Sequence, residues 1–346
     1  MSSNNPPAAA LTGYQPFGGL PTINQDVPAC AVLLAAFVPA AIWHIVVFIR
    51  SRIIHPPKFI FSFLLFIFCA SRSAALCLRI AWATDLPNTS LALASTILIG
   101  CGVLIVYIIN LIFTRRIVRA LHPTLFSPST AAKRANKSAA ARLRAQHRRA
   151  ARVSDTLLRL LLFTIVAVLV MVIVCSVLMF SADDVSSVQT EHTILVVAGT
   201  YVTVLAALPA LAMALVALLA VARNGWRDPS RRWLPAGGPH PDVPASVGEG
   251  SFGFAMALLA FTSCILTLGS AIRIAGTYAA VPMGEERWFL SKPALYCLTF
   301  VIEVIVAWVY AVFRVDKRYT DFPSARLVSG SGSVSGSAEV ADKEVA

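Results

Sequence analysis

The sequence predicts an all-α fold: a polytopic membrane protein, built as a seven-transmembrane helix bundle with its N-terminus outside and its C-terminus cytosolic. Three observations predict it. Apolar residues make up 57% of the chain and charged residues 13%, the reverse of a soluble domain's balance. Seven apolar runs are about 20 residues or longer, enough to cross a bilayer as helices. The charge between the runs alternates. Of the 29 Lys and Arg, only Arg287 and Lys292 fall in outer segments, and Arg72, Arg79, Arg159 and Arg273 lie within spans; the rest are in inner segments. An odd number of crossings satisfies every loop.

Residues 1–27 are rich in Pro, Ala, Asn and Gly and carry no Lys or Arg, and are expected to be a disordered extracellular segment. The membrane domain is expected over 28–322. Its first span, 28–49, has its positive charges after it (Arg50, Arg52, Lys58), which favours an outer N-terminus. His44, alone on an apolar face, reads as a hydrogen-bonded packing residue.

The second span, 59–83, contains Arg72 and Arg79, seven residues apart and so on one face. A short outer turn follows. Its Asn88-Thr89-Ser90 matches the glycosylation acceptor pattern, but a turn this short holds Asn88 against the membrane. The third span is 91–113, with Tyr107 and Asn110 toward its inner half.

The long connection 114–156 carries much of the net charge of +12. Arg115, Arg116, Arg119, Lys133, Arg134, Arg148 and Arg149 are among its basic residues, against the single acid Asp155. Two readings stand for it. One is topogenic, with contact to anionic lipid worth about 1 kcal/mol per basic residue near the surface. The other is a docking site for an acidic cytosolic signalling partner. Such charge, confined to one loop without a folded soluble module, does not describe a nucleic-acid-binding face.

Spans four and five are expected at 157–180 and 193–221, joined by an acidic outer turn with Asp183, Asp184 and Glu191. Span six, 252–279, places Arg273 near its outer end beside Tyr278. Span seven, 293–313, has Glu303 at its middle and a basic stop, Arg314-Val315-Asp316-Lys317-Arg318. The Ser/Gly-rich tail 323–346 is expected to be disordered and cytosolic.

An ionisable group at mid-membrane marks a functional or pairing site, because a lone one costs about 2.5–3.5 kcal/mol there. Arg72 and Glu303 lie at equal depth and are expected to form a buried ion pair. That pair either locks spans two and seven together or serves as a switch. Arg79, Arg273 and Tyr278 lie nearer the outside and are expected to line an outer vestibule for an anionic group.

Signals of catalysis are missing from the pattern. The seven cysteines fall inside apolar runs without CxxC spacing, so neither a disulfide framework nor a zinc site is indicated. The histidines other than His44 are in loops, no Asp falls within an expected span, and span seven has no central lysine. No enzyme activity, cofactor or metal is expected.

Several segments resemble one fungal family of seven-span proteins of uncharacterised function, commonly labelled family-C-like G-protein-coupled receptor. These are Cys69-Ala70-Ser71-Arg72 with Leu78 to Ala83, Ile109 to Phe113 leading to Arg115-Arg116 and His122-Pro123, Arg273 to Tyr278, and Glu303 to Arg318. The similarity runs from about Gly18 to Phe322. It implies a receptor-like or sensor protein of the plasma membrane. The alternative class is a transporter, similar in outline to the fungal lipid-translocating exporters. No Asp-Arg-Tyr follows span three and no Asn-Pro-x-x-Tyr ends span seven, as rhodopsin-like receptors would have.

Overall fold

The computed structural model describes residues 15–54, 60–121, 137–181, 185–224, 249–282, 285 and 287–315. Among them there is no strand, and seven helical spans are long and apolar enough to cross a membrane: Ile23–Ser51, Ile60–Thr84, Thr89–Val118, Asp155–Met179, Val188–Leu219, Gly253–Ala279 and Lys292–Val312.

The helices are α1 (Ile23–Ile54), α2 (Ile60–Thr84), α3 (Thr89–Cys101), α4 (Leu104–Leu121), α5 (Lys137–Ser181), α6 (Val185–Asn224) and α7 (Glu249–Ala279). Span seven follows as α8 (Lys292–Leu295), a π-turn (Tyr296–Val301) and α9 (Ile302–Val312). Spans two, three, six and seven are 44–56% buried within the bundle, whereas four and five are 17% and 22% buried. These four spans therefore hold most of the core, together with one face of α1, and the buried polar groups on them are shielded from lipid.

Residues 15–27, expected to be disordered, are folded. Thr22 precedes α1, and its backbone N–H donates to Asp26 at 2.8 Å, which closes the first turn as an N-terminal cap does. Residues 15–20 lie across the ends of the bundle that loop charge expects outside, here called outer, with Gln15 N–H donating to the Val281 carbonyl (2.8 Å) and Gly18 N–H to that of Leu290 (3.1 Å). Gly18 takes φ +82°, and a Cβ there would stand 2.3 Å from Leu295 Cδ2; only glycine meets both demands. The expected disorder of 1–14 and 323–346 lies outside the described residues.

Two spans are not continuous α-helices. The ladder of span three is interrupted at Gly102-Val103, between α3 and α4. In span seven the π-turn precedes Glu303 by two residues, an insertion frequent at functional sites. Span six comes so close to it that a Cβ on Gly269 would meet the Leu298 carbonyl at 2.6 Å.

Candidate functional site

The polar residues of span seven recur at helical spacing. Lys292, Tyr296, Thr299, Glu303 and Tyr310 fall three, four or seven apart, on one inward face, and each from Tyr296 onward is buried. Three polar nodes form along this face.

The middle node brings Arg72 and Glu303 together. Arg72 Nη2 donates to Glu303 Oε1 at 2.6 Å, and its Nε is 2.5 Å from Oε2. The arginine is the thirteenth residue of a 25-residue span, so the pair lies at mid-depth. Neither side chain is more than 2% exposed. The Phe68 and Phe300 rings flank the guanidinium, each centroid 5.8 Å away.

Arg72 has a second task that the sequence pattern did not reveal. Its Nη1 donates to the carbonyls of Leu98 (2.8 Å) and Ile99 (2.9 Å). The Leu98 carbonyl also takes the Gly102 N–H (3.2 Å), but the last carbonyls of a helix run out of helical partners, and in hydrocarbon these must be met by protein groups. Arg273 meets them too: its Nη1 donates to Ile99 (3.1 Å) and Gly100 (3.5 Å), while its Nη2 stands 3.9 Å from Glu303 Oε1. The break in span three is thus capped by cations from spans two and six.

The outer node centres on Asp26, a residue the sequence reading did not single out. It lies within span one, which corrects the expectation that no Asp is inside a span. Its fully buried carboxylate accepts from Arg79 Nε (2.8 Å), Tyr296 OH (2.5 Å) and Thr22 N–H (2.8 Å), with Lys292 Nζ at 2.6 Å. Arg79 Nη2 reaches back to the carbonyls of Gly18 (2.9 Å) and Gly19 (3.4 Å), and Cys30 Sγ lies 3.4 Å from Tyr296 OH. The available signal was Thr22 four residues before an acid, just ahead of an apolar run.

The inner node is neutral. Tyr310 OH donates to Asn110 Oδ1 and lies 3.0 Å from Thr262 Oγ1, while Asn110 Nδ2 donates to Ser263 Oγ at 3.1 Å. His44 Nε2 is 3.3 Å from the Ala307 carbonyl.

The expected vestibule of Arg79, Arg273 and Tyr278 does not assemble. Arg79 is sealed under residues 18–19, and Arg273 points toward Glu303. Tyr278 is 59% exposed on the bundle's side, its OH 2.9 Å from Thr200 Oγ1. The two arginines turn inward into separate nodes, and Tyr278 faces outward.

On the long connection, Arg115 pairs with Asp155, and Arg116 stacks over the Phe61 ring at 4.7 Å; both contribute to packing. Arg149 is exposed on α5. Arg119 and Arg148 lie on α4 and α5, their side chains outside the described set, and Lys133 and Arg134 lie outside the described residues. The Ala-rich half of the connection is helical and continuous with span four, so α5 runs 45 residues. Asn88 caps α3, accepting from Leu91 N–H at 3.2 Å. No group of three metal-ligating side chains occurs among the described residues.

The class these observations define is an integral membrane protein of seven helices, organised around buried charge on spans two, six and seven. A family described as "Protein of unknown function (DUF3112)" matches residues 246–320, the stretch that contains Arg273, Tyr296, Thr299, Glu303 and Tyr310. No curated protein and no solved structure matches the chain.

Proposed function

We propose that this chain is a receptor-like sensor of the plasma membrane in which the Arg72–Glu303 pair is the switch. The observation that carries this reading is the polar face of span seven. It touches an outer node at Asp26, a middle node at Glu303 and an inner node at Asn110. A displacement of span seven at one node must be absorbed at the others, since packed interiors do not deform continuously. The resemblance of the chain to the fungal receptor-like family agrees with it.

The output in this reading is the connection 114–156. Its basic helix is continuous with span four and projects about 27 Å from it at a helical rise of about 1.5 Å per residue. An acidic cytosolic partner, such as a G-protein alpha subunit, suits that charge. The test is nucleotide exchange on a panel of fungal alpha subunits by the full chain in lipid nanodiscs, wild type against Glu303→Gln. Exchange that responds to the chain and changes in the variant supports the proposal. No stimulation by either protein, with both folded, removes it.

One observation favours the transporter as a second reading. Spans three and seven are interrupted near mid-depth, and discontinuous helices at the midplane build the sites of many transporters. Flux of a small anion, or lipid redistribution, that stops in Arg72→Gln would select this reading.

A further inference from the structure

We infer that a crevice beside Glu303 is a binding site for one small monovalent anion, held by Arg273, Tyr107 and Thr299. The crevice lies between spans three, six and seven, lined by residues of all three and by Glu303 itself, and as packed it has no room for a water molecule. Three buried donors that line it have no hydrogen-bond partner: Arg273 Nε, Thr299 Oγ1 and Tyr107 OH, the last facing Ser270 without a bond of normal geometry. Tyr107 and Thr299 are each 1% exposed, so the bulk solvent does not serve them. Buried polar groups are nearly always paired, and these three unpaired donors, beside the Glu303 carboxylate that also lines the crevice and has one oxygen without a hydrogen-bonded donor, point to a ligand.

The surrounding charge selects its sign. Two guanidiniums, Arg72 and Arg273, stand against one carboxylate, Glu303, whose two oxygens both lie against Arg72 at 2.5 and 2.6 Å. The carbonyl end of α3 is equivalent to about half a negative charge and the amide end of α4, just beyond it, to about half a positive one; these offset each other. One net positive charge is left at mid-depth, where an ion without a counter-ion is costly. Arg273 is the cation with unspent capacity.

Size narrows the class further. As packed, the crevice is narrower than a water molecule, so entry requires movement of the π-turn that carries Thr299. A small anion such as a halide, nitrate or formate demands the least movement, and a lipid headgroup the most. The site does not rest on the signalling reading, since a sensor and a transporter can both use it.

The test is the melting temperature of the full chain in detergent, with sodium gluconate replaced stepwise by chloride, nitrate or formate at constant ionic strength. A saturable rise with at least one of the three is expected, and the order among them separates an inorganic ion from a carboxylate. Thr299→Val and Tyr107→Phe each remove one hydroxyl at nearly constant shape and should raise the half-saturating concentration roughly tenfold. Thr164→Val, on span four and bonded to Tyr201 away from the crevice, should leave the response intact. Indifference of the wild type to all three anions overturns the inference, whether or not the variants fold. So does an unchanged response in both hydroxyl variants, or its loss in Thr164→Val.

Discussion

Arg72 and Arg273, from spans two and six, donate to the same acceptor, the carbonyl of Ile99, at 2.9 and 3.1 Å. Two like charges are held beside each other because the end of a broken helix and one carboxylate lie between them. The middle node is therefore a junction of four spans, not a bridge between two.

That geometry changes what a charge swap should do. Arg72→Glu with Glu303→Arg re-forms the ion pair but aims a carboxylate at the Leu98 and Ile99 carbonyls. We expect the swap to recover only part of the stability lost in either single variant. Breaking the pair by Glu303→Gln should cost about 3–5 kcal/mol, the range for removing one partner of a buried pair. Melting curves across the double-mutant cycle measure this; full recovery in the swap would mean that the carbonyl contacts contribute nothing.

Asp26→Asn should destabilise the outer node by a similar amount, about 3–5 kcal/mol, because Arg79 and Lys292 lose one shared carboxylate. Lys292→Met should cost less, since Lys292 is 18% exposed and water replaces part of its contact. Hydrogen exchange over residues 15–22 reads the difference: protection should fall strongly in the first variant and weakly in the second.

Gly18→Ala combines a left-handed backbone with a methyl group 2.3 Å from Leu295 Cδ2. The expected penalty is about 1–3 kcal/mol, with faster proteolysis near residue 18 and little change at the inner node. Unaltered proteolysis would show that residues 15–20 do not hold the outer ends together.

Asn88 should carry no glycan, because its side chain caps α3 and bonds Asp85 Oδ2 at 3.2 Å. Endoglycosidase should leave gel mobility unchanged. Asn88→Ala should lower stability by about 1 kcal/mol, the usual cost of a lost cap.

Loop charge expects Met1 outside. A tag fused there should be cleaved by protease added to intact cells, while a tag after Ala346 should be protected. The opposite pattern would invert the orientation used for every node.

How much of this was written in the chain differs by feature. Span number follows from apolar length, a local property, and seven helices long and apolar enough to cross a membrane are present among the described residues. The meeting of Arg72 with Glu303 was legible for the same reason: an ion in hydrocarbon must find a partner, and depth along a helix can be counted from its ends. Asp26 was not legible, because it stands beside a boundary where an acid is equally at home in water. The outer vestibule failed for a different reason, since depth says nothing about the direction in which a helix face points.

By itself, then, the order of residues determined the seven crossings and the depth of each buried charge. Only the tertiary structure decided that Arg273 turns inward, that Arg79 is covered by Gly18, and that span three breaks under two arginines. Hydropathy acts along one helix and is readable one segment at a time. Which donor meets which carbonyl depends on how four helices rotate against one another, and that information is spread over more than 200 residues of separation.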